Sequence, residues 1–173
     1  MSLDGYIARK NGDIDWLTCI PNPESDDYGY STLLSSIETI VMGRSTYDSI
    51  LSFGMPWPYE SFSTYVVTSN PIYKISTPNT FLLTQDVNQQ IIELNNNTKK
   101  DIWIMGGAQL IKTLLIDELI DRMIISIIPK MIGNGIPLFL PSDIQMTWQL
   151  IDTVRYNTGI VNLIYQRETD FSK

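Results

Sequence analysis

Short apolar runs recur along this chain, and the sequence between them changes character in a way that predicts the architecture. Thr39-Ile40-Val41-Met42, Thr64-Tyr65-Val66-Val67-Thr68, Thr80-Phe81-Leu82-Leu83 and Ile102-Trp103-Ile104-Met105 are rich in β-branched and aromatic residues. Continuous apolar runs of this length read as buried strands. Helical spacing fills the intervals. Over residues 26–37, Tyr30, Leu33, Leu34 and Ile37 fall on one helical face, with Ser25, Asp26 and Asp27 as candidate N-caps. A short helix is predicted over 44–51, and Asp86 can cap another that carries Val87, Ile91 and Leu94. A further helix, from about Gly107, turns Ala108, Ile111, Leu114 and Leu115 inward.

The two ends of the chain differ from this alternation. Tyr6-Ile7-Ala8 lies between Asp4-Gly5 and Asn11-Gly12, which predicts a short strand followed by a flexible loop. Residues 123–128, 148–156 and 160–166 are strand-like, the last two joined across Asn157-Thr158-Gly159 as a hairpin. The pattern therefore predicts an α/β single domain over 1–173, with a central mixed, mostly parallel sheet, flanking helices and a C-terminal antiparallel hairpin.

Composition narrows the chemistry. A chain of 173 residues, 43% apolar and 18% charged, suits one globular domain. Its formal charge of −7, carried by scattered acids, leaves no basic footprint for nucleic acid. Cys19 is the single cysteine and there is no histidine, which removes intrachain disulfides, Cys/His zinc sites and imidazole-based catalysis. No metal is expected, and proton chemistry falls to carboxylates, tyrosines, lysines or water. The N-terminus carries no leader pattern and no run approaches the ~18 apolar residues of a membrane span, so a cytoplasmic protein without a membrane partner is expected.

Candidate chemistry centres on two glycine turns, Met42-Gly43-Arg44-Ser45-Thr46 and Met105-Gly106-Gly107-Ala108-Gln109. A strand that stops at glycine and hands over to a helix leaves N–H groups unpaired at the positive end of the helix dipole, where an anion can approach the main chain. Arg44 is disfavoured by that dipole and better suited to gripping phosphate. Ser69 and Asn70 reach the same sheet edge if the strands are parallel. Plain structural readings stand beside these: Gly-Gly also lets a strand pack closely on its helix, and Ser69-Asn70-Pro71 is also an ordinary turn. Neither glycine turn matches the six-position dinucleotide fingerprint or the P-loop.

Five motifs, in order, carry a family resemblance: Ser2-Leu3-Asp4-Gly5-Tyr6-Ile7-Ala8, Asp13-Ile14-Asp15-Trp16-Leu17, Val41-Met42-Gly43-Arg44-Ser45-Thr46-Tyr47, Ile104-Met105-Gly106-Gly107-Ala108 and Ile132-Gly133-Asn134-Gly135-Ile136-Pro137-Leu138-Phe139. Together they resemble the dihydrofolate reductase-like superfamily, in the branch of the riboflavin-biosynthesis reductase C-terminal domain and its stand-alone bacterial relatives. The resemblance implies NADPH across the C-terminal edge of the sheet. Gly43, Arg44, Ser45 and Thr46 would meet the phosphates and adenosine ribose, and Thr68, Ser69 and Asn70 the 2′-phosphate region. Met105, Gly106, Gly107, Ala108, Gln109 and Leu110 would cradle the pyrophosphate, while Gly12, Asp13 and Ile14 would border the nicotinamide in a mobile loop.

The implied reaction is hydride transfer to a C=N or C=O carbon of a small heterocyclic, pteridine or pyrimidine-like, or carbonyl substrate. The spacing back from Met42-Gly43-Arg44 gives Asp27 the place of the substrate-orienting carboxylate, with helix capping as its alternative, and Tyr28 and Tyr30 would line the substrate pocket. Asp4 reads as a turn residue. The first strand of such relatives is expected to be absent or shortened here, since the chain opens almost on Ser2-Leu3-Asp4-Gly5. Ser61, Phe62 and Ser63 stand where folate-reducing enzymes place an arginine, and Lys130 is the one obvious cation for a ribose phosphate. A non-catalytic nucleotide-binding or regulatory protein and a true dihydrofolate reductase remain the alternatives. Apolar residues at 124–128 with Met131-Ile132, together with the resemblance, imply a homodimer.

Overall fold

Gly5 and Gly12, at φ 84° and 88°, bound the first strand, β1 (Tyr6–Ala8), in a computed structural model that describes residues 1–168. Beyond Gly12 the chain is more ordered than its loop-like sequence suggests. Arg9 binds Asp15 at 2.5 Å, Asp13 Oδ1 accepts the Asp15 N–H at 3.0 Å, and a one-turn helix, α1 (Asp15–Thr18), follows. These elements belong to the first of two compact units, formed by Met1–Tyr28 and the chain from Glu118 onward; the second is Gly29–Asp117.

The first helix of the second unit is shorter than its periodicity predicts. Tyr28 and Gly29 sit at φ 54° and 82°, so the helix predicted over 26–37 cannot extend back through them. It shortens to α2 (Tyr30–Ser36), with Gly29 rather than Ser25, Asp26 or Asp27 at its N-cap and no fully buried residue. Ile37 instead begins β2 (Ile37–Gly43). Next come α3 (Arg44–Ser52), β3 (Ser63–Val67), β4 (Thr80–Leu83), α4 (Val87–Asn97), β5 (Asp101–Gly106) and α5 (Ala108–Ile116). Asp86 is the N-cap of α4, as its position predicts, but it makes no side-chain cap bond.

The four strands form one parallel sheet in the order β4-β3-β2-β5. β2 is central, and Ile40, Val41 and Met42 are wholly buried, as a continuous apolar run in a parallel sheet requires. Tyr47 of α3 is also fully buried; its hydroxyl lies 3.0 Å from that of Thr77 and its ring meets Trp57 edge-on. That anchorage fixes the start of α3 against the sheet.

The first unit resumes with β6 (Arg122–Ile127), β7 (Ile136–Pro137), β8 (Trp148–Arg155) and β9 (Val161–Arg167). β6, β9 and β8 form an antiparallel sheet in that order, and the predicted β8–β9 hairpin turns through Gly159 at φ 84°. Ser2 bridges Ile128 in parallel, with the Ile128 N–H donating to Met1 O at 2.8 Å, and β7 pairs with β1. Asp4 is a structural clamp: it accepts the Ser2 hydroxyl at 2.6 Å and the Gly133 N–H at 2.7 Å. A mixed α/β fold results, with a parallel sheet, flanking helices and an antiparallel hairpin sheet.

Candidate functional site

Because β2, β3 and β5 run parallel, their C-terminal ends share one edge of the second unit's sheet. The two glycine turns are neighbours there: Met42 registers with Gly106, across a bulge that leaves Met105 as the extra residue of β5. A Cβ built on Gly43 would lie 3.7 Å from both Gly106 O and Gly107 N, and one built on Gly107 would lie 3.5 Å from Thr46 Oγ1. The sequence-predicted set Gly43, Arg44, Ser45, Thr46 is thereby brought against Gly106, Gly107 and the start of α5.

Gly43 and Gly107 are the N-caps of α3 and α5, and neither helix start carries a side-chain cap or an acid in its first turn. Gly106 needs glycine for its φ of 106°, but Gly43 at −73° does not. Nor does crowding demand it, since the nearest contacts of an added Cβ are ordinary ones. A missing side chain that neither backbone nor packing requires leaves main-chain donors open to a ligand, and paired uncapped helix starts fit a pyrophosphate. Behind them, Ala108 and Leu110 are buried and pack α5 down, while Gln109 is exposed.

Thr68, Ser69 and Asn70 leave β3 on the same edge. The Thr68 hydroxyl accepts the Asn70 N–H at 3.1 Å, and Asn70 Oδ1 accepts the Ile72 N–H at 3.1 Å, giving a tied turn that leaves Ser69 and Asn70 exposed. Arg44 is less isolated than its sequence position suggests. Its guanidinium pairs with Asp48 at 3.4 Å and lies 5.9 Å from the centre of the Tyr73 ring, while the Tyr73 hydroxyl donates to Asp48. Burial and the Asp48 bond push the Tyr73 hydroxyl up to about 12.

The first unit contains a cleft of about 370 Å³. Ile7, Leu17, Ile128 and Ile160 supply apolar walls, and Met1, Trp16, Tyr28 and Ser126 complete the lining. Trp16 Nε1 and the Tyr28 hydroxyl are buried and have no hydrogen-bond partner within the protein. Beside Tyr28 the polar groups are tightly joined. Asn162 donates to Tyr28 O at 2.8 Å and to the Tyr156 hydroxyl at 3.2 Å and accepts from Ser126 at 2.7 Å; the Tyr156 ring meets Tyr28 edge-on at 5.1 Å. Burial, then Asp26 and Asp27, push the Tyr156 hydroxyl up.

The remaining predicted residues divide between the units. Tyr28 lines the cleft, whereas Tyr30 belongs to the second unit, where its hydroxyl donates to Tyr59 at 3.2 Å and its ring meets Trp103. Asp27 is exposed, lies two residues before Gly29, the N-cap of α2, and is not among the residues lining the cleft. Gly12, Asp13 and Ile14 form the tied loop before α1, where Arg9 N–H donates to Asp13 O at 2.8 Å. Sequence reasoning missed Trp16, Ser126 and Asn162, and also Asp48 and Tyr73. A polar Asn162 inside the apolar strand β9 was the signal available for one of them.

A parallel sheet with paired glycine turns at its C-terminal edge and an antiparallel hairpin sheet late in the chain make a dihydrofolate reductase-like fold. The chain belongs to the RibD C-terminal domain family, whose model matches residues 1–162. It is 35% identical over 139 residues to the Bacillus subtilis (strain 168) protein YwjB, covering 80% of this chain and 78% of that protein. A Shewanella sp. PV-4 structure described as a riboflavin biosynthesis protein is 32% identical, with a TM-score of 0.88 over 98% of this chain and 96% of its own. The dihydrofolate reductase of Enterococcus faecalis, solved with NADP(H), shares the fold at 19% identity and a TM-score of 0.68, covering 98% and 93% of the two chains. Among the described residues no helix is long and apolar enough to cross a membrane.

Proposed function

We propose that this chain is an NADPH-dependent reductase that delivers hydride to a C=N or C=O carbon of a small heterocyclic or carbonyl substrate. One observation carries the reading: Gly43 and Gly107 adjoin at the sheet edge, each ahead of a helix start without a side-chain cap, and Gly43 is glycine where neither its backbone nor its packing requires it. Gly43 to Thr46, Thr68 to Asn70 and Met105 to Leu110 would hold the phosphates and the adenosine end. When bound, the dinucleotide supplies hydride from its nicotinamide ring. The chain's own part is to bind, orient and exclude water.

For the substrate, the first unit's cleft offers apolar walls at Ile7, Leu17, Ile128 and Ile160 that suit a flat ring. The family resemblance gives Asp27 the place of the substrate-orienting carboxylate, and that role is proposed for it although it is exposed and stands outside the cleft's lining. A second reading draws on the exposure of Asp27: a nucleotide-binding protein of the same family that does not turn over. NADPH oxidation against a panel of pterins, pyrimidines and quinones separates them. The reductase reading predicts a substrate whose turnover Asp27→Asn abolishes while NADPH binding persists; binding without turnover across the panel supports the second. For assembly, a homodimer is proposed through β8, an edge strand that exposes Leu150, Ile151 and Val154.

A further inference from the structure

The proposal that follows rests on the nucleotide reading and concerns which nucleotide the edge prefers. Arg44 is the one cation of the predicted phosphate-binding set, and Thr68, Ser69 and Asn70 add only hydroxyl and amide groups. Its charge is not free. Asp48, one helical turn along α3, holds Nη1 at 3.4 Å, and both side chains remain about half exposed at 50% and 42%. An exposed i,i+4 pair is ordinarily loose and weak, because its partners rotate away into water. Here the acid is restrained from the other side, since Asp48 Oδ1 accepts the Tyr73 hydroxyl. The Tyr73 ring also lies beneath the guanidinium and packs against buried Tyr47, at 6.2 Å between ring centres. Arg44 and Asp48 are therefore presented together on a rigid aromatic base.

We infer that Asp48 is a specificity-determining residue that weakens the site's discrimination for a 2′-phosphate. A phosphate drawn to Arg44 meets the Asp48 carboxylate at the same time, and the like charges oppose each other across a partly screened surface. A ribose bearing free hydroxyls meets the same carboxylate as a hydrogen-bond acceptor, the role an acid plays where a dinucleotide site accepts the unphosphorylated ribose. The arrangement admits both NADPH and NADH and keeps the preference for NADPH shallow. The Tyr73 hydroxyl is the positioning group, because it fixes where the carboxylate stands.

Fluorescence titration of the purified chain with NADPH and with NADH tests this without reference to turnover, using wild type, Asp48→Asn and Tyr73→Phe. Wild type is expected to bind both nucleotides, with affinities within about tenfold of each other. Asp48→Asn should raise the NADPH-over-NADH ratio by about fivefold, and Tyr73→Phe should shift it in the same direction by less. Adenosine 2′,5′-bisphosphate and 5′-AMP, titrated as competitors, should show the same shift if the effect lies at the ribose. Binding of both nucleotides with a ratio unmoved by Asp48→Asn overturns this proposal alone. Binding of neither overturns the nucleotide reading and this proposal with it.

Discussion

Gly43 and Gly107 adjoin at the ends of neighbouring parallel strands, so close that a Cβ on the first would lie 3.7 Å from the nitrogen of the second. The contact is snug but not clashing, and Gly43 has a backbone that alanine adopts without strain. Gly43→Ala should therefore fold normally, with a thermal midpoint within a few degrees of wild type. NADPH affinity should nonetheless fall about tenfold, near 1.4 kcal/mol, because the methyl group occupies the approach to the main-chain donors. Calorimetry alongside a binding titration checks both halves.

Gly135 presents the opposite case. A Cβ there would lie 2.2 Å from the carbonyl oxygen of Ala8, so β1 has to move away and the Ala8–Ile136 pairing is lost. Gly135→Ala should cost about 3 kcal/mol in urea unfolding, a penalty that arises from backbone displacement rather than from φ.

Asp4 links the Ser2-Leu3-Asp4-Gly5 turn to the 131–133 loop. The Ser2 hydroxyl first, then the Gly133 and Ile132 N–H groups, hold its carboxyl below the ordinary aspartate range. A folded pKa depressed below the unfolded one gives stability that is present above about pH 4 and lost as the pH falls through the folded value. Asp4→Ala should lower the urea midpoint at pH 7, and its deficit against wild type should shrink on acidification below about pH 4. A deficit that stays constant with pH would place the effect elsewhere.

Self-association makes its own prediction. β8 exposes Leu150 at 49% and Ile151 at 54% on the open edge of its sheet; in the segment singled out from the sequence Ile124 and Met131 are exposed as well, while Ile128 is buried. The chain should run as a dimer at micromolar concentration by sedimentation, and Ile151→Glu should yield monomers with an unchanged far-ultraviolet circular dichroism spectrum. A wild-type monomer contradicts the proposed interface.

Strands were the most legible elements in the sequence, because an apolar run ended by glycine or a serine-asparagine pair specifies both a buried strand and its C-terminal turn. β3 and β5 appear within a residue of their predicted bounds for that reason, and β2 starts two residues earlier, at Ile37, where the helical pattern masks it. α2 was not legible, since its helical periodicity runs unbroken into Ile37 and across Tyr28 and Gly29. Only the positive φ of the latter two and the parallel pairing of Ile37 show where the helix stops. At the site, glycine turns announce themselves locally, and Gly43, Gly106 and Gly107 could be singled out from pattern alone. The Arg44–Asp48–Tyr73 unit could not, because Tyr73 reaches α3 from the segment after β3 and no local pattern encodes that contact. Asn162 bonds Tyr28 O from 134 positions away, a pairing equally invisible along the chain.

Titration of the wild-type chain with NADPH, followed by energy transfer from its tryptophans to the nicotinamide, decides whether the sheet edge is a nucleotide site. The account predicts saturable binding with one nucleotide per chain, weakened by Arg44→Ala and by Gly43→Ala. Absence of saturable NADPH binding by a folded wild-type chain would contradict it.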